Sequence, residues 1–459
     1  MKKVLSLVLA LALVLGVMSF ASAEGEKITL RVWSFSNELE GMINTYFAES
    51  HPEIEFIYEQ YPNDGDQYEN KLDSVMASVG ETDEAPDVFT MEEAYVRKFV
   101  EGAWTADLAK VGFTDEEYST ALAAMIGAGT NPDGTVRGLA WQACPGGMFY
   151  RASMAKEYLG VETPEEMQAL VSDWDGWLEV AQTLKEKSEG AVKMVTGAGD
   201  LYNVFKINRD AGWVVDGKLN IDDNLLDFEN IAKAIEEDDL SQKSGTWNET
   251  WFSGMRGELK TFCYFMPTWG IHYTLKPNCV TGGFSPVKDN PEQSEEALAK
   301  LSEENGGTYG DWRLIDGPAA YAWGGTWVGC NAKKVDTWSD AQKKAVHDLI
   351  YFLTLDPEFL TAYAKDSGDF VGNSIAVQNI LNDGGTPNPF LGGQDHYAVF
   401  AQIANRANTS VMSRYDSTLN GLWDTYVTTP FTKGEKELDE CLAEFKTAVA
   451  AQITDITVE

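Results

Sequence analysis

The sequence predicts an α/β protein organised around a parallel sheet, and three observations carry that expectation. Strand and helix patterns alternate through the first hundred residues, the rhythm of βαβ units with helices on both faces. Apolar residues make up 44% and aromatic residues 12% of the chain, ample material for a large core. No Ser/Gly-rich linker divides the 459 residues, so two lobes sharing crossing segments fit better than independent domains in a row.

Ile28–Phe35 alternates β-branched and aromatic residues and predicts a buried strand. Residues 37–50 carry Leu39, Met42, Ile43, Tyr46 and Phe47 at helical spacing, and His51-Pro52 ends that run. A second strand is expected over Ile54–Tyr61, a helix over Tyr68–Val79, a short strand over Pro86–Thr90 and a helix over Tyr95–Glu101, stopped by Gly102. Asn131-Pro132-Asp133-Gly134 reads as a turn into a strand over Val136–Gln142. Beyond Tyr150 the patterns give helices over Trp177–Lys187, Ile231–Asp238 and Gln342–Leu355, with a strand over Leu259–Phe265. Lys288–Gly307 is polar and charged, and is expected to be an exposed excursion.

The N-terminus reads as an export signal. Lys2 and Lys3 precede an apolar run from Val4 to Val17, and Ala21-Ser22-Ala23 supplies the small-residue cleavage pattern. That run is shorter than the roughly 18–20 residues of a spanning helix. No Cys lies near the cleavage pattern, so the product is expected free in the periplasm or outside the cell, not lipid-anchored through an N-terminal Cys. The 35 Lys and Arg against 72 Asp and Glu give a net charge of −37, which repels phosphate backbones and anionic lipid and argues against nucleic-acid partners.

Five cysteines, Cys144, Cys263, Cys279, Cys330 and Cys441, leave an odd thiol, and the spacing of Cys263 and Cys279 leaves a bridge between them open. Four scattered His residues with no Cys or His at ligand spacing predict neither a metal nor a Ser-His-Asp site. There is no G-x-x-x-x-G-K-[ST] loop, and Gly197-Ala198-Gly199 lacks the third Gly of a dinucleotide fingerprint, so no cofactor is expected. Asn63-Asp64-Gly65-Asp66 lacks the rest of a calcium ligand set and reads as a solvated loop. Paired carboxylates for glycoside hydrolysis stay open among so many acids.

Aromatic residues beside Gly and turns are the positive signal: Trp33, Trp141, Trp269, Trp323 and Trp327. An indole offers a large flat face and one N–H donor, which suits the C–H faces of a pyranose ring. Core packing is the commoner fate of any one Trp, so composition alone leans toward carbohydrate without deciding it.

The order of segments resembles the family 1 extracellular solute-binding proteins. ITLRVWSF, a helix and HPEIEFIYEQYP are similar to the family's opening strand, helix and strand; Tyr68–Ser78 to its Y-x-x-K-L helix; Ala85-Pro86-Asp87-Val88 to its A-P-D-V strand; and FVEGAWTADL to the segment that follows. Gly138–Arg151 resembles the first crossing, Tyr264–Lys276 the G-x-W strand and Gly317–Trp327 the return strand, while Lys365–Ser374 takes the third crossing's place without its usual Pro. The resemblance implies a two-lobed periplasmic-binding-protein fold with three interlobe crossings and a central ligand cleft. The N-terminal lobe would comprise residues 24–142 and about 323–371, the C-terminal lobe 143–322 and about 372–459.

Carried onto this sequence, the resemblance implies ligand-binding roles for Trp33 and Asn37 at the exit of the first strand, for Glu92 after the third, and for Trp141 and Gln142 at the first crossing. It further implies Trp269 as a stacking aromatic, Trp323, Gly324 and Gly325 at the second crossing, and Gln394 and Asp395 from the second lobe. Glu92 is equally readable as an acid at a helix N-terminus. The implied function is capture of a carbohydrate, expected to be an oligosaccharide, by an exported monomer that passes it to the permease of an ABC importer. A secreted glycoside hydrolase, and a receptor of this fold for a polyamine or peptide, stay open as alternatives.

Overall fold

The computed structural model describes residues 27–79, 84–280, 295–407 and 409–459. Residues 1–23, read above as an export signal, lie outside them. Among the described residues the strands number thirteen: β1 Ile28–Ser34, β2 Ile54–Gln60, β3 Val88–Glu92, β4 Leu139–Ala140, β5 Pro145–Arg151, β6 Val214–Val215, β7 Lys218–Leu219, β8 Cys263–Pro267, β9 Trp312–Ile315, β10 Tyr321–Ala322, β11 Thr326–Cys330, β12 Pro387–Asn388 and β13 Gln394–Asp395.

A five-stranded sheet runs in the order β2-β1-β3-β11-β4. β1 lies parallel to β2, with Ile28 opposite Ile54, and parallel to β3, with Val32 opposite Val88. Every residue of β3 except Glu92 is buried, as a central strand covered on both faces requires. The helix Gln67–Ala77 is tied to this sheet by Tyr68, whose buried hydroxyl donates to the Thr90 carbonyl at 2.9 Å and lies 3.2 Å from that of Trp33. The helix Glu93–Glu101 buries Tyr95, Val96, Phe99 and Val100, one apolar face at i, i+3, i+4 spacing.

The expected parallel sheet holds for β1, β2 and β3, and β11 departs from it, pairing antiparallel with both β3 and β4. A second sheet is antiparallel throughout. β5 pairs with β8 along one edge and with β9 and β10 along the other, and all seven of its residues are buried. A βαβ rhythm describes only strands that follow one another through helices; β11 arrives from the other sheet and enters from the opposite direction.

The chain leaves the first sheet at β4, enters the second at β5, and returns from β10 to β11. Residues 370–373 run beside the outward passage. The Ala143 N–H donates to the Phe370 carbonyl at 2.9 Å, and the Gly372 N–H to the Trp141 carbonyl at 2.8 Å. A Cβ at Gly372 would lie 2.7 Å from the Ala140 carbonyl oxygen, so glycine permits this close approach. A smaller core beside the second sheet packs Trp213, Trp423, Phe445 and Val449, the last two from the C-terminal helix Leu438–Gln452.

Two further expectations change. All five cysteines are free and buried, so Cys263 and Cys279 are not bridged. The polar stretch, described from residue 295 onward, is a helix, Glu295–Asn305, docked on the protein. Leu298 is buried, Lys276 pairs with Glu295 at 2.7 Å, and the Ser302 hydroxyl donates to the Cys279 carbonyl at 3.1 Å. Residues 281–294, which include the first part of that stretch, lie outside the described residues.

Candidate functional site

The return from β10 to β11 is the residue run Trp323-Gly324-Gly325, and both glycines have positive φ, 86° and 117°. A Cβ at Gly324 would lie 2.7 Å from the indole nitrogen of Trp269, so a side chain there displaces that ring. Trp269 follows the end of β8 and donates its Nε1–H toward the Trp323 carbonyl at 3.3 Å. The two rings meet edge to face, centroids 5.0 Å apart at 69°. Both are half-buried, unlike most tryptophans of this chain.

Two more aromatics complete a patch around this pair. Trp247 lies almost parallel to Trp269, at 18° with centroids 6.0 Å apart, and meets Trp323 edge-on at 6.4 Å. Tyr273 packs against Trp269 at 6.2 Å and Trp247 at 6.4 Å. Trp247 is 47% and Tyr273 63% exposed, so the patch opens to solvent. Tyr273 lies in a π-helical turn, Ile271–Leu275, directly after Trp269; such widened turns are frequent at functional sites.

Beside Trp247 and Trp323 opens a cavity of about 1050 Å³, whose walls include Tyr202, Thr246, Asp424 and Thr428. Asp424–Thr428 is itself a second π-helical turn. Burial pushes the Asp424 carboxyl above its ordinary range, against the pull of Lys433.

The other candidate residues fall into different settings. Trp33 and Trp141 are packed in the core, 1% and 0% exposed, and their indole N–H groups have no hydrogen-bond partner among the described residues. Trp33 presents its ring to Tyr61, centroids 4.9 Å apart. Trp327 is buried too and donates to the Met125 carbonyl at 2.8 Å. Asn37 is exposed at a helix start where its side chain makes no cap bond.

Glu92 caps the helix Glu93–Glu101, accepting from the Ala94 N–H at 2.9 Å, as the helix N-terminal reading expects. Burial, and next the neighbouring Glu93, push its carboxyl well above the usual range, while Lys206 pulls the other way. Gln142 is buried and donates to Asp369 at 2.7 Å, a bond between the outward passage and the 370–373 segment's start. Gln394 clamps the backbone of Leu314 in β9, donating to its carbonyl at 2.6 Å and accepting from its N–H at 2.8 Å. Asp395 caps the helix His396–Ala404, accepting from Tyr397 and Ala398 N–H groups.

Trp269, Trp323, Gly324 and Gly325 are therefore brought together, while Gln394 and Asp395 hold backbone. Trp247 and Tyr273 were not among the sequence candidates. Trp247 carries the same signal as its neighbours, an aromatic inside a turn (Ser244-Gly245-Thr246-Trp247-Asn248), and Tyr273 lies four residues after Trp269, the spacing of one helical face.

The sequence matches the family described as bacterial extracellular solute-binding protein over residues 33–257. The fold is similar to a crystal structure of an extracellular solute-binding protein family 1 member, with a TM-score of 0.73 and 17% identity over 92% of this chain and 99% of that one. It is also similar to the galacto-N-biose-/lacto-N-biose I-binding protein of the ABC transporter from Bifidobacterium longum in complex with lacto-N-biose (TM-score 0.68, 14% identity, 95% and 100% covered). The sugar-binding protein MalE from Xanthomonas citri is a third such structure (TM-score 0.65, 15% identity, 92% and 96% covered). No curated protein matches the sequence. At these identities the structural likeness is one of fold.

Proposed function

The chain belongs to the bacterial extracellular solute-binding proteins, a non-catalytic family serving ABC transporters, and from that premise we propose that it captures an oligosaccharide between two lobes and delivers it to a membrane permease. One observation carries the choice of ligand: the half-buried and exposed tryptophans 247, 269 and 323 meet at the carboxyl end of β8 and the return to β11. Ligands of α/β sheets favour the carboxyl ends of strands, and pyranose rings favour flat indole faces backed by placed polar groups. The sugar-binding neighbours support the same choice.

In this reading the lobes are residues 24–142 with about 323–371 and 143–322 with about 372–459. They are joined through 141–144, 323–325 and 370–373. Trp269 and Trp323 form the stacking floor, and Gly324 and Gly325 let it form. Asn37 and Glu92 line the first lobe's side. The protein acts as a monomer.

A thermal-shift screen of mono- and oligosaccharides against polyamines and peptides tests the ligand class. A ligand that binds only the native state raises the melting temperature with its concentration. Sugars are expected to do so, and a shift with a polyamine or peptide alone would replace the carbohydrate reading. Thin-layer analysis of the bound sugar after long incubation should show it intact.

A further inference from the structure

Trp247 packs one side of its ring on the buried Trp251, centroids 4.9 Å apart, and leaves the rest open. Its backbone sits at φ 60°, in the left-handed region that a bulky L-residue rarely occupies, and its ring is 47% exposed. Glycine would adopt that backbone without strain. A strained, exposed indole held nearly parallel to Trp269 is the pattern expected where backbone strain serves a site. The cavity of about 1050 Å³ is lined by this ring and Trp323 and also by Thr246 and Thr428. Its volume lies at the top of the range for sites that hold drug-sized ligands, more than a single sugar ring fills. Its walls mix an apolar ring, Phe228, with the polar groups of Tyr202 and Asn203 and with charged side chains, Glu236, Lys243 and Asp424 among them, groups that can hold the hydroxyls of a polyhydroxylated chain.

We propose that Trp247 and Tyr273 form an outer subsite that continues the Trp269–Trp323 floor, and that the cavity beyond Trp247 receives further units, so that the protein selects oligosaccharides of three or more units over disaccharides. The inference rests on the carbohydrate reading above. Trp269 serves the inner unit, and Trp247 the units that follow.

Calorimetric titration of wild type, Trp247→Gly and Trp269→Ala with neutral α- and β-linked gluco- and galacto-oligosaccharides of one to four units tests it. Wild type should bind a tri- or tetrasaccharide of one series at least about tenfold more tightly than the disaccharide, the scale of one interface anchor. Trp247→Gly should abolish that gain, so that tri- and tetrasaccharides bind no better than the disaccharide, with an unfolding temperature close to wild type because relief of the backbone offsets the lost ring contacts. Trp269→Ala should weaken every length. Equal wild-type affinity for all lengths, or an undiminished length preference in Trp247→Gly, would overturn the outer subsite while leaving carbohydrate capture standing. Binding of none of the panel by folded wild type sinks both. A marked loss of stability in Trp247→Gly would make Trp247 a packing residue and overturn the proposal as well.

Discussion

Gly324 is where a single hydrogen atom matters most. Its φ of 86° and the 2.7 Å between a would-be Cβ and the Trp269 nitrogen mean that Gly324→Ala both strains the backbone and moves the ring. A loss of about 1–3 kcal/mol in stability is expected, with weaker sugar binding, read by denaturant unfolding and calorimetry on one sample. Trp269→Ala should weaken sugar binding by about 1–4 kcal/mol, as a stacking anchor does, and leave apo stability less affected than a core deletion of about 3–5 kcal/mol. Equal losses in both measurements would make Trp269 a core residue. Glu229 gives a pH test outside the site. Burial pushes its carboxyl from 4.5 up to about 7, although Trp423 and Thr428 donate to it at 2.7 and 2.6 Å. The native state therefore keeps a proton that the unfolded chain releases, and this group's contribution to stability falls as pH rises from 4.5 to about 7. Glu229→Gln removes that loss. Its stability relative to wild type should grow across this window by up to ~3 kcal/mol and stay constant above it.

Helix ends and widened turns set the geometry at the scale of elements. Asp340–Thr354 begins with a full capping box. Ser339 accepts from the Gln342 N–H at 3.2 Å, and the Gln342 side chain accepts from the Ser339 N–H at 3.0 Å. This helix packs on β1, β4 and β11, so its start fixes how the first sheet is covered. Ser339→Ala should lower stability by about 1 kcal/mol with ligand affinity unchanged, measured by urea unfolding and titration. The π-helical turns behave differently. Ile271–Leu275 turns Tyr273 toward the aromatic patch, and Asp424–Thr428 forms a wall of the adjoining cavity. Each is a local departure from the best helical hydrogen bonding beside the candidate site.

For the whole molecule the informative contact is Lys206 to Glu93, 3.2 Å, with both side chains about nine-tenths buried. Lys206 belongs to the helix Gly199–Ile207 packed against β8 and β10 of the second sheet, and Glu93 follows β3 of the first. In the two-lobed reading this pair joins the lobes, so Lys206→Met leaves Glu93 buried and unpaired beside Glu92. A loss of about 3–5 kcal/mol is expected, or an opening of the lobes that relieves it. Small-angle scattering distinguishes these outcomes. Saturating sugar should lower the radius of gyration of any protein fraction that is open, because only a ligand that binds the closed form better can shift the balance. Scattering that responds neither to Lys206→Met nor to sugar would mean that the two sheets move as one body.

Local pattern determined much of this protein. β1, β2 and the helices Gln67–Ala77, Glu93–Glu101 and Asp340–Thr354 fall where alternation and 3.6-residue periodicity put them, because burial on one face is written every two or every three to four residues. The Gly-rich return after Trp323 was equally legible, since φ above zero has few residue types to serve it. Tertiary structure alone decided the rest. The strand expected over Val136–Gln142 shrinks to Leu139–Ala140 because the next residues leave for another sheet, a choice of partner that no neighbouring residue encodes. The direction of β11 is non-local in the same way. Trp33, near the end of β1, and Trp269, just after β8, carry the same side chain. One is buried with its ring against Tyr61, the other is left half-open by two glycines that arrive from another part of the chain. Burial is a property of what packs over a residue, so only the assembled fold separates a core indole from one free to meet a ligand.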